Sequence, residues 1–177
     1  MQMEAEQLTL DDNEFNVALN AFGLMYYPNP KKALDQMYRV IIHGGRAVSA
    51  VWGARKRCGW AQIFPIVDAR VKTEVCPLFF QLGTRDALAQ LYKATGFANV
   101  KSKRILTKLF YRTEEDALNA VFAGGPVAMA YSRFDEQTKQ NAHSEYIQSI
   151  EKYKNEEGYF IPGEFVVVSG DKKALMH

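Results

Sequence analysis

The sequence predicts an α/β fold built on a parallel βαβ unit, and three consecutive segments carry that expectation. Residues Phe15 to Leu24 form a short, nearly continuous apolar run bounded by Asp11-Asp12-Asn13 and Pro28-Asn29-Pro30. A run of that kind suits a strand buried on both faces of a parallel sheet. Ala33, Leu34, Met37, Tyr38 and Ile41 then recur at helical spacing and share one face of a helix. Asn29 is placed to cap this helix and Pro30 to open it, because the proline ring presets a helical φ where no N–H is needed. Gly44-Gly45 is expected to close the helix, glycine being free to take the left-handed conformation of a last turn. Arg46 to Trp52 is the second apolar strand, and the crossover joining two such strands is right-handed.

The remaining elements follow in order. Gly53 to Gly59 is a polar, basic loop, and Trp60, Ile63, Phe64, Val67 and Val71 predict an amphipathic helix. Thr84 is the expected N-cap of the next helix, with Asp86 in its first turn where the helix dipole favours an acid. Leu88, Leu91 and Tyr92 form its buried stripe, and Gly96-Phe97 ends it. Lys101 to Tyr111 reads as one long strand, with Ile105, Thr107, Leu109 and Tyr111 on one face and Arg104, Leu106, Lys108 and Phe110 on the other. Thr113-Glu114-Glu115-Asp116 is a capping-box helix start, and Gly124-Gly125-Pro126 breaks that helix. A longer helix is expected from Asp135 to Lys154, with Ala142, Tyr146, Ile150 and Tyr153 in register, and Phe165 to Val168 is the final strand. The expected organisation is a single domain over residues 1–177, with residues 113–154 as a helical lobe inserted between the last two strands.

Bulk properties narrow the function classes. The 177 residues are 47% hydrophobic, enough for a real core. Basic and acidic residues number 22 and 20 and are well mixed, so the net charge of +2 gives no electrostatic reason to expect DNA or RNA. The short cluster Arg55-Lys56-Arg57 reads as a solvated loop or as a small anion contact. Cys58 and Cys76 form no metal or redox motif, and His43, His143 and His177 have no spacing that suggests zinc or a catalytic triad, so no metal is expected. No apolar run approaches a membrane span, and Met1-Gln2-Met3-Glu4 is not the start of a signal peptide, so a cytoplasmic location is the expectation.

Several of these segments together carry a family resemblance. Glu4-Ala5-Glu6-Gln7-Leu8, Asn20-Ala21-Phe22-Gly23-Leu24, the Pro28-Asn29-Pro30 helix start, His43-Gly44-Gly45-Arg46 and the strand ending at Trp52 resemble the second half of a class I S-adenosylmethionine-dependent methyltransferase, of the methyltransferase type 11 found in ubiquinone and menaquinone biosynthesis. Residues 92–100 look like the helix, glycine, aromatic, strand step that precedes the sixth strand of that fold. The resemblance implies a truncated Rossmann-like fold, with strands equivalent to 4-5-7-6 in sheet order and a helical insert between the last two. It also implies that the Gly-x-Gly-x-Gly cofactor loop and the acidic partner of the ribose hydroxyls are not among these residues.

Methyl transfer from a sulfonium needs donor and acceptor held in line near van der Waals contact, and it needs no metal. Sites for it are built from backbone and shape, and no positioned general base is evident in the sequence. By resemblance, Glu4 meets the adenine amino group, Ala5 offers its backbone N–H to the ring, and Glu6 stands nearby. The plainer reading makes Glu4 and Glu6 exposed carboxylates. Asn20, Ala21 and Phe22 match the end of the fourth strand, which faces the methionine part of the cofactor in the family. Open α/β sheets bind ligands outside the carboxyl ends of their strands, which suits that position. Asn20 either orients cofactor or acceptor, or satisfies backbone groups at a strand end. Trp52 either lines the acceptor pocket or is a core or rim tryptophan. Tyr26-Tyr27, Tyr131, Phe134, Tyr159 and Phe160 are candidates for an aromatic pocket floor and equally for ordinary core.

Besides a small-ligand carrier that uses the aromatic lobe, two function classes follow. One is an S-adenosylmethionine-dependent methyltransferase acting on an unidentified small-molecule acceptor, impaired as an isolated chain. The other is a catalytically inactive methyltransferase-like domain kept as a binding or assembly module. The strand at Val17 to Asn20 is expected to form an exposed sheet edge, and pairing there predicts a homodimer.

Overall fold

A computed structural model describes residues 1–174. In chain order the elements are β1 (Phe15–Ala21), α1 (Pro30–Val40), β2 (Ile41–Trp52), α2 (Ile63–Asp68), α3 (Ala87–Thr95) and β3 (Ala98–Tyr111). They continue as α4 (Glu114–Phe122), α5 (Ala128–Tyr131), α6 (Glu136–Ile150), β4 (Lys154–Asn155) and β5 (Gly158–Asp171). The chain divides into two compact units. The first contains Met1–Ala54, Leu78–Ile105 and the stretch from Phe165 onward; the second contains Arg55–Pro77 and Leu106–Glu164.

The first unit holds the expected βαβ step. β1 and β2 are parallel, with Val17 to Ala21 opposite Arg46 to Ala50, and β2 pairs antiparallel with β5, Trp52 opposite Phe165 and Arg46 opposite Asp171. The sheet order is β1-β2-β5-β3. That is the 4-5-7-6 order expected for a Rossmann-like methyltransferase sheet. Helix α1 begins as anticipated, the Asn29 side chain accepting from Lys32 N–H at 3.1 Å with Pro30 at its first position. It buries Ala33, Leu34, Met37 and Val40. Ile41, Ala47, Val51, Leu88 and Val168 complete an apolar core, and Ser49 and Tyr92 share a 2.6 Å hydroxyl hydrogen bond within it. Burial pushes the Tyr92 phenol up to about 12, against the opposing effect of that bond.

Three expectations change here. β1 is not buried on both faces: it ends the sheet order, and Phe15, Val17 and Leu19 on alternate positions are 37%, 52% and 75% exposed. Gly44-Gly45 does not close α1, which stops at Val40; both glycines lie inside β2, Gly44 at φ +82°. Lys172 is the physical reason. Its backbone bonds Gly44 N–H and Gly45 O at 2.9 Å each, while its buried ammonium donates to Asn13 Oδ1 at 2.8 Å and Ile41 O at 2.9 Å. Strand pairing therefore claims residues that local glycine chemistry assigns to a helix end. Finally, α3 starts after Asp86 and not at Thr84, whose hydroxyl instead donates to Phe80 O at 2.9 Å. Gly96 ends that helix in the left-handed conformation, as anticipated.

The second unit is mainly helical. The capping box at Thr113 forms with Asp116, and Asp135 caps α6 by accepting from Thr138 N–H at 2.7 Å. Helix α6 stops at Ile150, followed by a 3-10 turn over Glu151–Tyr153, so it is shorter than its periodicity suggests. α2 likewise ends at Asp68, before Val71. Ile63, Val67, Ala117, Phe122, Ala142, Tyr146, Ile150 and Ile161 are buried. β5 starts at Gly158, seven residues ahead of the expected strand, as the second arm of a tight hairpin with β4.

Among the titrating groups of this unit, the histidine bears on stability near neutral pH. His143 Nε2 lies 2.9 Å from the Tyr131 hydroxyl, its ring stacked on Tyr131 and packed against Phe122. Burial first, then Lys139, hold the imidazole below its usual 6.5, against the pull of Glu136. As pH falls through 6.5 the unfolded chain takes up this proton before the folded one, so stability declines with falling pH below that point. Urea denaturation at pH 7.5 and 5.5 is expected to show a smaller decline in a His143→Gln variant; an equal decline in both proteins would assign the effect to other groups.

Candidate functional site

The carboxyl ends of the parallel strands β1 and β2 converge on one turn. Phe22 N–H donates to Ala50 O at 2.8 Å, carrying the ladder one residue beyond β1. Phe22 then takes the left-handed conformation, φ +60°, which costs a bulky residue on the order of 1 kcal/mol or more. The Asn20 side chain holds that conformation in place. Its Oδ1 accepts from Gly23 N–H at 3.1 Å and Leu24 N–H at 3.0 Å, and its amide donates to the Tyr27 hydroxyl at 3.2 Å. Gly23 leaves room for both side chains, since a Cβ there would lie 2.6 Å from the Tyr27 oxygen and 3.0 Å from the Asn20 amide.

The turn aims the Phe22 ring into an aromatic group. Its centroid lies 5.7 Å from Trp52 and 5.5 Å from Phe165, and Trp52 and Phe165 are 4.6 Å apart. All three are half-buried, so the cluster presents an apolar, flat-sided surface at the strand ends. Behind it the turn at Gly83 packs directly on β2: a Cβ on Gly83 would overlap the Trp52 carbonyl oxygen and lie 2.6 Å from that of Gly53. Arg104 fixes this turn by donating to Gly83 O at 3.0 Å and to Arg85 O.

The amino-terminal candidates form a second turn. Gln7 N–H donates to Glu4 O at 3.0 Å. The Glu4 carboxylate is exposed and makes no hydrogen bond or ion pair among the described residues, and the Ala5 N–H is equally unused. Glu6 is engaged: its Oε1 accepts from Asn29 N–H at 2.7 Å, tying this turn to the start of α1. The structure thus brings Phe22 and Trp52 together and bonds Asn20 to the turn that follows Phe22. Among the described residues, no hydrogen bond joins the Glu4–Glu6 turn to the Asn20–Phe22 turn. His43 is exposed and lies 2.9 Å from Lys173 O, and His177 lies outside the described residues.

Residues 1–49 match the family model described as Methyltransferase domain. Over these residues the chain is similar to class I S-adenosylmethionine-dependent methyltransferases. It is similar to the ubiquinone/menaquinone biosynthesis C-methyltransferase UbiE of Idiomarina loihiensis, with 46% identity over 48 residues, 27% of this chain and 19% of that protein. It is similar to the enzyme of the same name from Zymomonas mobilis, with 25% identity over 120 residues, 58% of this chain and 48% of that protein. The chain therefore spans less than half the length of each of these relatives. A crystal structure from Anabaena variabilis, described as a methyltransferase from an antibiotic biosynthesis pathway, superposes with a TM-score of 0.63 over 94% of this chain and 71% of that one. At 16% identity that likeness concerns the methyltransferase fold alone.

Tested against this family's cofactor, the chain's groups fit in part. An unpaired carboxylate beside an unused N–H complements the adenine edge, which offers an amino donor and a ring-nitrogen acceptor. The Asn20–Phe22 turn supplies backbone at the strand end. No Gly-x-Gly-x-Gly sequence occurs in the 177 residues. Sequence reasoning missed Phe165, Gly83 and Arg104 as shapers of this candidate site. Phe165 had a signal in its aromatic ring at a strand start; Gly83 and Arg104 act through contacts far apart in sequence and had none.

Proposed function

We propose that this chain supplies the adenine and methionine contacts of an S-adenosylmethionine-dependent methyltransferase acting on a small, flat, apolar acceptor. The observation that carries the reading is the Asn20-clamped turn, which sets the Phe22, Trp52 and Phe165 rings at the carboxyl ends of two parallel strands. Glu4 and Ala5 hold the adenine, Ala21 and Phe22 border the methionine side, and Glu6 positions the first turn through Asn29. S-adenosylmethionine, when bound, supplies an electrophilic methyl group and a neutral leaving group. Asn20, through the turn it holds, and Trp52 orient the acceptor, and the three rings exclude water from it. The names of the UbiE relatives favour a quinol-like acceptor methylated at carbon.

Calorimetric titration with S-adenosylhomocysteine tests this. Weak one-to-one binding, Kd on the order of 0.1–1 mM, is expected for the 177-residue chain, since it carries no glycine-rich loop. Absence of binding at several millimolar would contradict it.

A second reading, an inactive assembly module, is favoured by the apolar edge of β1, where Val17 and Leu19 are 52% and 75% exposed. Unpaired edge strands recruit further strands. A second copy pairing along β1 would give a homodimer by light scattering that a Leu19→Lys variant disperses; a monomer at tens of micromolar would remove this reading.

A further inference from the structure

The second compact unit carries a groove that the methyl-transfer reading does not use. Its volume is about 720 Å³, within the range of small-molecule sites. Lys56, Arg57, Leu106, Lys108, Tyr153 and Pro162 line it, so its wall combines three cations with an apolar floor. The floor is closely built: a Cβ at Gly59 would lie 2.8 Å from the Tyr153 ring and 3.0 Å from Pro162 Cδ. Leu106 is 67% exposed and Phe110 48%. With Lys108 between them they occupy alternate positions of β3, hence one face of the strand. Phe110 packs on Phe160 at 4.8 Å, so an exposed apolar track leads from the groove along that face.

The cations are available. Arg57 Nε stands 3.7 Å from the carboxylate of Glu164, whose side chain is 4% exposed, while Arg57 itself remains 54% exposed. A buried acid thus steadies the guanidinium without covering it. Among the described residues, Lys56 and Lys108 enter no ion pair. Three positive groups against one buried negative group leave the groove short of an anion. An apolar floor alone would accept a neutral ligand, and cations alone would accept any anion; the two together select a molecule with both parts.

We propose that this groove binds an amphipathic anion, with a carboxylate or phosphate group among Lys56, Arg57 and Lys108 and an aliphatic or aromatic body over Leu106, Tyr153 and Pro162 toward Phe110. The proposal stands independently of methyl transfer. Calorimetric titration of the full chain with octanoate, octyl phosphate, 1-octanol and acetate tests it. Octanoate or octyl phosphate is expected to bind one-to-one at on the order of 100 µM, with octanol and acetate at least tenfold weaker. Lys56→Ala/Lys108→Ala is expected to weaken the anion at least tenfold and leave octanol unchanged, and Leu106→Ser to weaken anion and octanol together. Both variants alter exposed side chains, and far-ultraviolet circular dichroism checks their folding. No saturable binding of either anion, equal binding of octanol, or indifference to the double variant would overturn the proposal. Capture on phosphatidylglycerol vesicles without binding of the monomeric anions would also overturn it and assign the patch to a lipid surface.

Discussion

Gly83→Ala is expected to destabilise the protein by about 3 kcal/mol, lowering its thermal midpoint by on the order of 10 °C. The added methyl group meets the carbonyl oxygens of Trp52, the last residue of β2 and paired with Phe165, and of Gly53 just beyond it, and these cannot retreat without pulling that end of β2 from β5. Arg104 holds the same turn from behind, so the turn cannot lift away either without losing the guanidinium bonds to Gly83 and Arg85. Gly124→Ala is the control. The nearest atom to a Cβ there is Ala120 O at 3.8 Å, and the change is expected to stay within about 0.5 kcal/mol of wild type. Thermal melts of the two variants check the contrast; a Gly83→Ala melt matching that of Gly124→Ala would show that the turn is not held against β2.

Asn20→Ala is expected to cost about 2 kcal/mol. It withdraws the acceptor for Gly23 N–H and Leu24 N–H and the donor to Tyr27, and Leu24 is only 1% exposed, so water cannot fully replace the lost bond. With the clamp gone, the left-handed Phe22 relaxes and its ring leaves the Trp52–Phe165 pair. Asn20→Asp keeps the acceptor and is expected to recover most of the stability. Urea denaturation of the three proteins, read through tryptophan fluorescence, checks this. Equal stability of Asn20→Ala and wild type would mean that the turn persists without its side-chain clamp.

The legible parts of the fold were those encoded locally. Asn29 and Pro30 announce α1, Thr113 and Asp116 announce α4, and Gly96 ends α3, because caps and turns act over three or four residues. What failed was set by partners distant in sequence. Gly44 and Gly45 read as a helix end until Lys172, more than a hundred residues away, pairs them into β2. Apolar composition alone reads Phe15 to Leu24 as buried on both faces, whereas the exposed edge at Val17 to Asn20, expected from the family resemblance, is what the sheet order shows. The candidate site divides the same way. Asn20 to Phe22 was visible as a strand end, whereas Phe165 joins it through strand register and Gly83 through close packing, neither of which leaves a periodic trace.

Amide-resolved NMR of the 177-residue chain during titration with S-adenosylhomocysteine tests the central claim most directly. The expected result is a set of saturable shifts at Glu4 to Glu6, at Asn20 to Leu24 and at the Trp52 indole, reduced together in Asn20→Ala. Shifts confined to other residues, or none at several millimolar ligand, would contradict the placement of a methyl-donor site at the carboxyl ends of β1 and β2.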